Sequence, residues 1–129
     1  MEAIHEALAK DKAKNHATWI PYVTAGYPAV SETPGMMLSM QAGGADIIKL
    51  GIPFTDPGTE SPTIQQANAK ALANGVQVSY IQQTVKSARK PGLAVPVPLA
   101  GYKVVHYRTF LSHFLFHPER SYGDDLQDR

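Results

Sequence analysis

Lys49-Leu-Gly-Ile-Pro-Phe-Thr-Asp-Pro-Gly-Thr-Glu-Ser-Pro-Thr-Ile-Gln65 reads as a short apolar strand that runs into a proline-rich loop. Prolines at positions 53, 57 and 62 exclude both a helix and a regular ladder of strand hydrogen bonds, so a shaped loop is predicted. Such loops, at the carboxyl ends of strands, are where α/β proteins place their chemistry. Asp, Thr and Pro are also typical of ordinary turns that have no catalytic function. The polar candidates are Lys49, Thr55, Asp56, Thr59 and Glu60.

The sequence on either side of this loop predicts alternating helices and strands. Apolar runs bounded by turn residues predict strands, and 3.6-residue periodicity predicts helices. The predicted strands cover residues 19–24, 46–50 and 95–101, and the predicted helices cover 2–14, 34–42, 62–72 and 80–90. Pro96 and Pro98 indicate that the third strand is not hydrogen-bonded along its whole length. This order predicts a parallel α/β array.

Local signals predict where these helices begin and end. Thr33, Ser61 and Ser79 are expected to cap the helices that follow them, because their hydroxyls can accept from free backbone N–H groups. Glycine-containing pairs end them at Gly43-Gly44, Asn74-Gly75 and Pro91-Gly92. Met36, Met37 and Met40 are expected to fill a core rather than to bind a cofactor.

Composition excludes several classes of protein. The chain has 129 residues, a formal net charge of +1 and no cysteine. Interspersed acids and bases leave no basic stripe for nucleic acid, and no apolar run approaches the roughly 18 residues that span a bilayer. We therefore expect a cytoplasmic protein that binds neither nucleic acid nor membranes.

Three further stretches support a resemblance that the 49–65 segment first suggests. They are Ile20-Pro-Tyr-Val-Thr-Ala-Gly-Tyr-Pro28, Gln41-Ala-Gly-Gly-Ala-Asp-Ile-Ile48 and Gln65-Gln-Ala-Asn-Ala-Lys-Ala-Leu-Ala-Asn-Gly-Val76. Together with residues 49–65, they resemble the tryptophan synthase α subunit family over residues 1–102. The opening Met-Glu-Ala-Ile is most like fungal versions, in which the α and β activities share one polypeptide.

The resemblance implies a (β/α)₈ barrel, but only part of one. Such barrels typically take about 250 residues, and this chain has 129. We therefore expect a partial TIM barrel made of about the first three strands with their helices.

The resemblance stops at Tyr102 and resumes at Ser121. Residues 103–120 are rich in histidine and aromatic residues and are interpreted as a foreign insert, such as a retained intron, and residues 121–129 as a resumed, truncated family segment. His106, His113 and His117 suggest a zinc site, but no orienting carboxylate accompanies them. A chance apolar segment is the preferred interpretation, and no metal site is predicted.

The family reaction that the resemblance implies is retro-aldol cleavage of indole-3-glycerol phosphate to indole and glyceraldehyde 3-phosphate. It uses a strand glutamate and a loop aspartate, whose positions are occupied here by Lys49 and Glu60. Because lysine removes the acid–base carboxyl and introduces a cation, and because the later strands are missing, we expect this chain to be inactive.

The resemblance also implies substrate-binding positions at Tyr22, Asp56, Ala100 and Tyr102. The α reaction needs no cofactor or metal, since pyridoxal phosphate serves a β domain that is absent here. Two alternatives to an enzyme stay open. The chain is either a non-catalytic fragment that binds the β subunit through the loop at 53–60, or a truncated product without function.

Overall fold

The computed structural model describes residues 1–55 and 60–101, which form a three-stranded parallel sheet with four helices. The strands lie in the order β1-β2-β3. In chain order the elements are α1 (Glu2–Ala13), β1 (Tyr22–Thr24), α2 (Thr33–Ala42), β2 (Lys49–Gly51), α3 (Pro62–Ala73), α4 (Val78–Arg89) and β3 (Leu99–Ala100). The predicted parallel α/β order is therefore confirmed.

Several predictions concern residues outside this described part. Asp56 and Tyr102 are among them, as are the insert proposed at 103–120 and the segment at 121–129. The insert and the domain boundary at residue 102 stay predictions.

One face of the sheet packs against helices and forms the core. Val23, Leu50 and Leu99, one from each strand, are all buried on this face. Helices α2 and α4 pack against each other, and both α2 and α3 contact β1. Met37 of α2 is fully buried, while Met36 and Met40 are partly buried against the same core, so the prediction that these methionines are core filler is confirmed.

The strands are shorter than predicted, and proline explains the third one. The carbonyls of Pro96 and Pro98 accept from the Ile48 and Leu50 N–H groups, each at 3.0 Å. Neither proline has an N–H to return a bond to β2, so regular pairing begins only at Leu99. In β1, pairing begins at Tyr22 rather than at residue 19.

Two predicted helix caps are wrong. Thr33 is the first residue of α2, and its hydroxyl accepts from the Gly26 N–H at 2.9 Å instead of capping its own helix. Ser79 lies inside α4, because the extended backbone of Gln77 already starts the helix at Val78. Ser61 does cap α3, accepting from the Ile64 N–H at 3.4 Å.

Helix α1 meets the amino-terminal edge of the sheet, since its Asp11 lies close to Asp46, which precedes β2. Its apolar residues are not its buried ones: Ile4 is half-buried and Leu8 is exposed, whereas Asp11 is buried. Within the described residues, no helix combines the length and apolarity that crossing a bilayer would require.

Candidate functional site

The sheet face opposite the helices carries the candidate site. The register pairs Tyr22 with Lys49, and Gly51 with both Thr24 and Ala100. Because paired residues project to the same face and successive residues alternate, all five lie on the face that does not carry Val23, Leu50 and Leu99. The structure therefore brings together three predicted site residues, Tyr22, Lys49 and Ala100.

Lys49 is exposed and lies beside the Tyr22 ring. Its Nζ is 5.9 Å from the ring centroid, at the outer limit of a cation–π contact. At an exposed site such a contact contributes about 0.5–1 kcal/mol. The ammonium group is thus held over the aromatic ring on the open face of the sheet.

Gly51 leaves room for the Tyr22 ring. A Cβ at position 51 would overlap the Tyr22 hydroxyl and would lie 2.9 Å from Cε2. The Thr24 hydroxyl is 3.5 Å from the Tyr22 hydroxyl, at the long limit of a hydrogen bond. The absence of a side chain at Gly51 therefore lets Tyr22 cross over β2.

Glu60 lies at the start of α3, after the loop that follows β2. It is half-buried and directly precedes Ser61, the cap of α3. Its carbonyl accepts from Gln65 Nε2 at 2.9 Å, which ties this end of the loop to the first turn of α3. The positive end of the α3 dipole favours a carboxylate at this position.

The turn after β1 is fixed by side chains whose role the sequence did not reveal. Asn74 Nδ2 donates to the carbonyls of Gly26 and Pro28, at 3.0 and 2.9 Å. Thr33 accepts from the Gly26 N–H, and Gly26 itself has a φ of +83°. Residue type alone marked Asn74 as a helix stop and Thr33 as a cap, so only the tertiary arrangement identifies them as anchors of this turn.

Arg89, the half-buried last residue of α4, bonds to the connection between α4 and β3. Arg89 Nη1 donates to the carbonyls of Leu93 and Val95, at 2.7 and 2.9 Å. Desolvation by burial lowers the pKa of Arg89 from its ordinary value. These bonds fix the approach to the strand that carries Ala100.

A family model described as the tryptophan synthase alpha chain matches residues 8–117. This chain belongs to the tryptophan synthase α chain family. A tryptophan synthase alpha chain from Acidovorax ebreus is 44% identical over 102 residues, which are 79% of this chain and 38% of the relative. The tryptophan synthase of Saccharomyces cerevisiae is 42% identical over 101 residues, 78% of this chain and 14% of that protein.

Solved structures agree on the fold. The tryptophan synthase α subunit of Legionella pneumophila has a TM-score of 0.74 at 39% identity, covering 78% of this chain and 38% of that one. A tryptophan synthase structure from M. tuberculosis has a TM-score of 0.75 at 29% identity, covering 87% and 45%. The chain thus spans 38% of the length of its bacterial α relative and forms part of a TIM barrel.

The described residues contain one group of carboxylate and imidazole side chains whose potential ligand atoms all lie within 4.8 Å of one another. It consists of Asp11, His16 and Asp46, and includes neither Lys49 nor Glu60.

Proposed function

We propose that this chain is a tryptophan synthase α chain of tryptophan biosynthesis that has lost its acid–base carboxylate. As a consequence, it does not cleave indole-3-glycerol phosphate. The observation that supports this most strongly is Lys49, an exposed ammonium beside the Tyr22 ring on the open face of the sheet. The family resemblance puts a catalytic glutamate at this position.

The proposed loss follows from what retro-aldol cleavage requires. One group must protonate the indole ring carbon and remove the side-chain hydroxyl proton, and another must accept the indole N–H as positive charge develops on the ring. An ammonium at position 49 offers no carboxylate, and its charge repels the developing cation. General acid–base catalysis contributes about 10²- to 10⁴-fold, so losing this group removes most of the activity.

Glu60 is the proposed indole N–H acceptor, at the family aspartate position. It retains the carboxylate but is one methylene longer, and a placement error on the order of 1 Å costs about a hundredfold. It directly precedes Ser61, the cap of α3. Tyr22 and Ala100 are proposed to contact the indole ring, since both lie on the Lys49 face.

The proposed setting is the cytoplasm, and the proposed partner is the tryptophan synthase β subunit or domain, as for the family. Neither a cofactor nor a metal is proposed for the α reaction, and pyridoxal phosphate belongs to the β reaction. Titrating purified β subunit with the chain tests the partnership. We expect a change in the rate of indole consumption, and an unchanged rate at saturating chain would contradict it.

Indole release from indole-3-glycerol phosphate tests the catalytic proposal. We expect none from the purified chain, alone or with β subunit. A Lys49→Glu, Glu60→Asp double variant is the informative comparison, since it restores both carboxylates. Release by the unaltered chain would contradict the proposed loss and require another acid–base group.

A further inference from the structure

Three potential metal ligands converge at the amino-terminal edge of the sheet. Asp11 comes from the last turn of α1, His16 from the link to β1, and Asp46 from the segment before β2. One ligand atom from each lies within 4.8 Å of the other two. Two ligands of a tetrahedral zinc ion are about 3.4 Å apart, because each bond is about 2.1 Å long. Zinc binding therefore requires the three ligand atoms to move closer together, and the His16 side chain is exposed and has room to move.

Among the three side chains, Asp11 provides the strongest evidence for a bound cation. Its side chain is only 6% exposed, and its Oδ2 has no hydrogen-bond partner among the described residues. A buried carboxylate is costly unless it is paired or coordinates a metal. The Asp11 carboxylate belongs to the group formed with His16 and Asp46, so an ion bound there would neutralise its charge.

The backbone orients the other two ligands. The His16 N–H donates to the Asp11 carbonyl at 2.9 Å, which folds the chain back after α1 through Asn15, whose φ is +52°. Asp46 Oδ2 accepts from the Trp19 N–H at 2.9 Å. Such an outer hydrogen bond fixes the orientation of a ligating carboxylate.

We propose that Asp11, His16 and Asp46 bind a divalent transition-metal ion of the zinc class. Two carboxylates and an imidazole suit zinc, whereas magnesium and calcium prefer oxygen-only sites. With three protein ligands, water completes a tetrahedral site. The ion ties α1 and its link to the entry of β2, and its role is to hold the amino-terminal helix against the sheet. The proposal does not depend on the catalytic state of Lys49.

Zinc binding to the full chain tests this site, with zinc sulfate as the probe. The parent protein for this experiment is the full chain with alanine at His106, His113 and His117, which removes histidines outside the group. All variants are made in this parent. His16→Ala is the test variant and His5→Ala the matched control, since both side chains are exposed. Asp46→Asn is a second test that retains an oxygen for the Trp19 N–H.

We expect zinc to bind the parent and His5→Ala with equal affinity, and His16→Ala and Asp46→Asn at least 10-fold more weakly. At a zinc concentration 100 times Kd, the folded-to-unfolded ratio of the parent should rise about 100-fold. Isothermal titration and thermal unfolding measure the two effects. Equal binding by His16→Ala and His5→Ala, or no stabilisation of the parent, would overturn the site. Equal stabilisation by magnesium would overturn the zinc-class assignment.

Nuclear magnetic resonance of chain labelled with ¹⁵N-histidine gives an independent readout. Zinc should shift the His16 ring nitrogens and leave those of His5 unchanged. A shift confined to His5 would contradict the assignment.

Discussion

The Tyr22 ring occupies the space into which a side chain at Gly51 would project, on the neighbouring strand. This pair lies at the centre of the candidate site, since Tyr22 also contacts Lys49. A glycine in β2 is therefore required by the position of an aromatic ring and not by an unusual backbone angle.

Gly51→Ala should lower the free energy of unfolding by about 1–3 kcal/mol, because its methyl group displaces the ring. In a Tyr22→Ala background the same change should cost almost nothing, and a double-mutant cycle by urea unfolding measures this coupling. Gly35→Ala is the control, because nothing lies within 4 Å of a Cβ there. An equal cost with and without Tyr22 would show that the two residues are not coupled.

Thr33→Val should destabilise the chain by about 1–3 kcal/mol, since it leaves the buried Gly26 N–H without its acceptor. Thr63→Val is the matched control, because Thr63 is an exposed residue near the start of α3. Its effect should stay within about 0.5 kcal/mol. Denaturant unfolding compares the two, and similar losses would rule out a specific role for the Thr33 hydroxyl.

Arg89→Ala should cost about 2–3 kcal/mol, because charged hydrogen bonds to the Leu93 and Val95 carbonyls are lost. Lys86→Ala on the same helix removes an exposed charge and should be nearly neutral. The difference between the two midpoints in urea gives the contribution of the bonds. Hydrogen exchange at Leu99 and Ala100 should increase only in Arg89→Ala.

Asn68→Leu should stabilise the chain. Asn68 is 2% exposed, and neither atom of its amide has a hydrogen-bond partner among the described residues. Replacing it with an apolar side chain of similar shape removes a desolvation cost of about 1–3 kcal/mol. Asn74→Leu should do the opposite, because Asn74 donates to two carbonyls. A loss of stability in Asn68→Leu would mean that the amide is satisfied in solution.

The order of helices and strands was predictable because turn residues clearly separate the apolar runs that form them. Gly75 and Gly92 follow helices with positive φ values, as their sequence context indicated. The placement of Lys49 followed from the strand that ends in the proline-rich loop, and its pairing with Tyr22 follows from parallel order once the register is known.

Other features depend on distant partners and could not be read locally. Thr33 was expected to cap a helix, but the Gly26 N–H lies seven residues away along the chain and competes for its hydroxyl. The Asp11, His16 and Asp46 group joins residues from three segments. His16 is exposed, and nothing in its local sequence marks it as a ligand.

Indole release by a chimaera tests the central claim most directly, because it separates residue 49 from the length of the chain. Residues 8–101 of this chain would replace the matching segment of the Acidovorax ebreus alpha chain. We predict that the chimaera folds and releases indole from indole-3-glycerol phosphate at least about 100-fold more slowly than the same chimaera carrying Lys49→Glu and Glu60→Asp. Indole release by the chimaera that retains Lys49, at the rate of the unaltered Acidovorax ebreus alpha chain, would contradict the claim that this residue abolishes the chemistry.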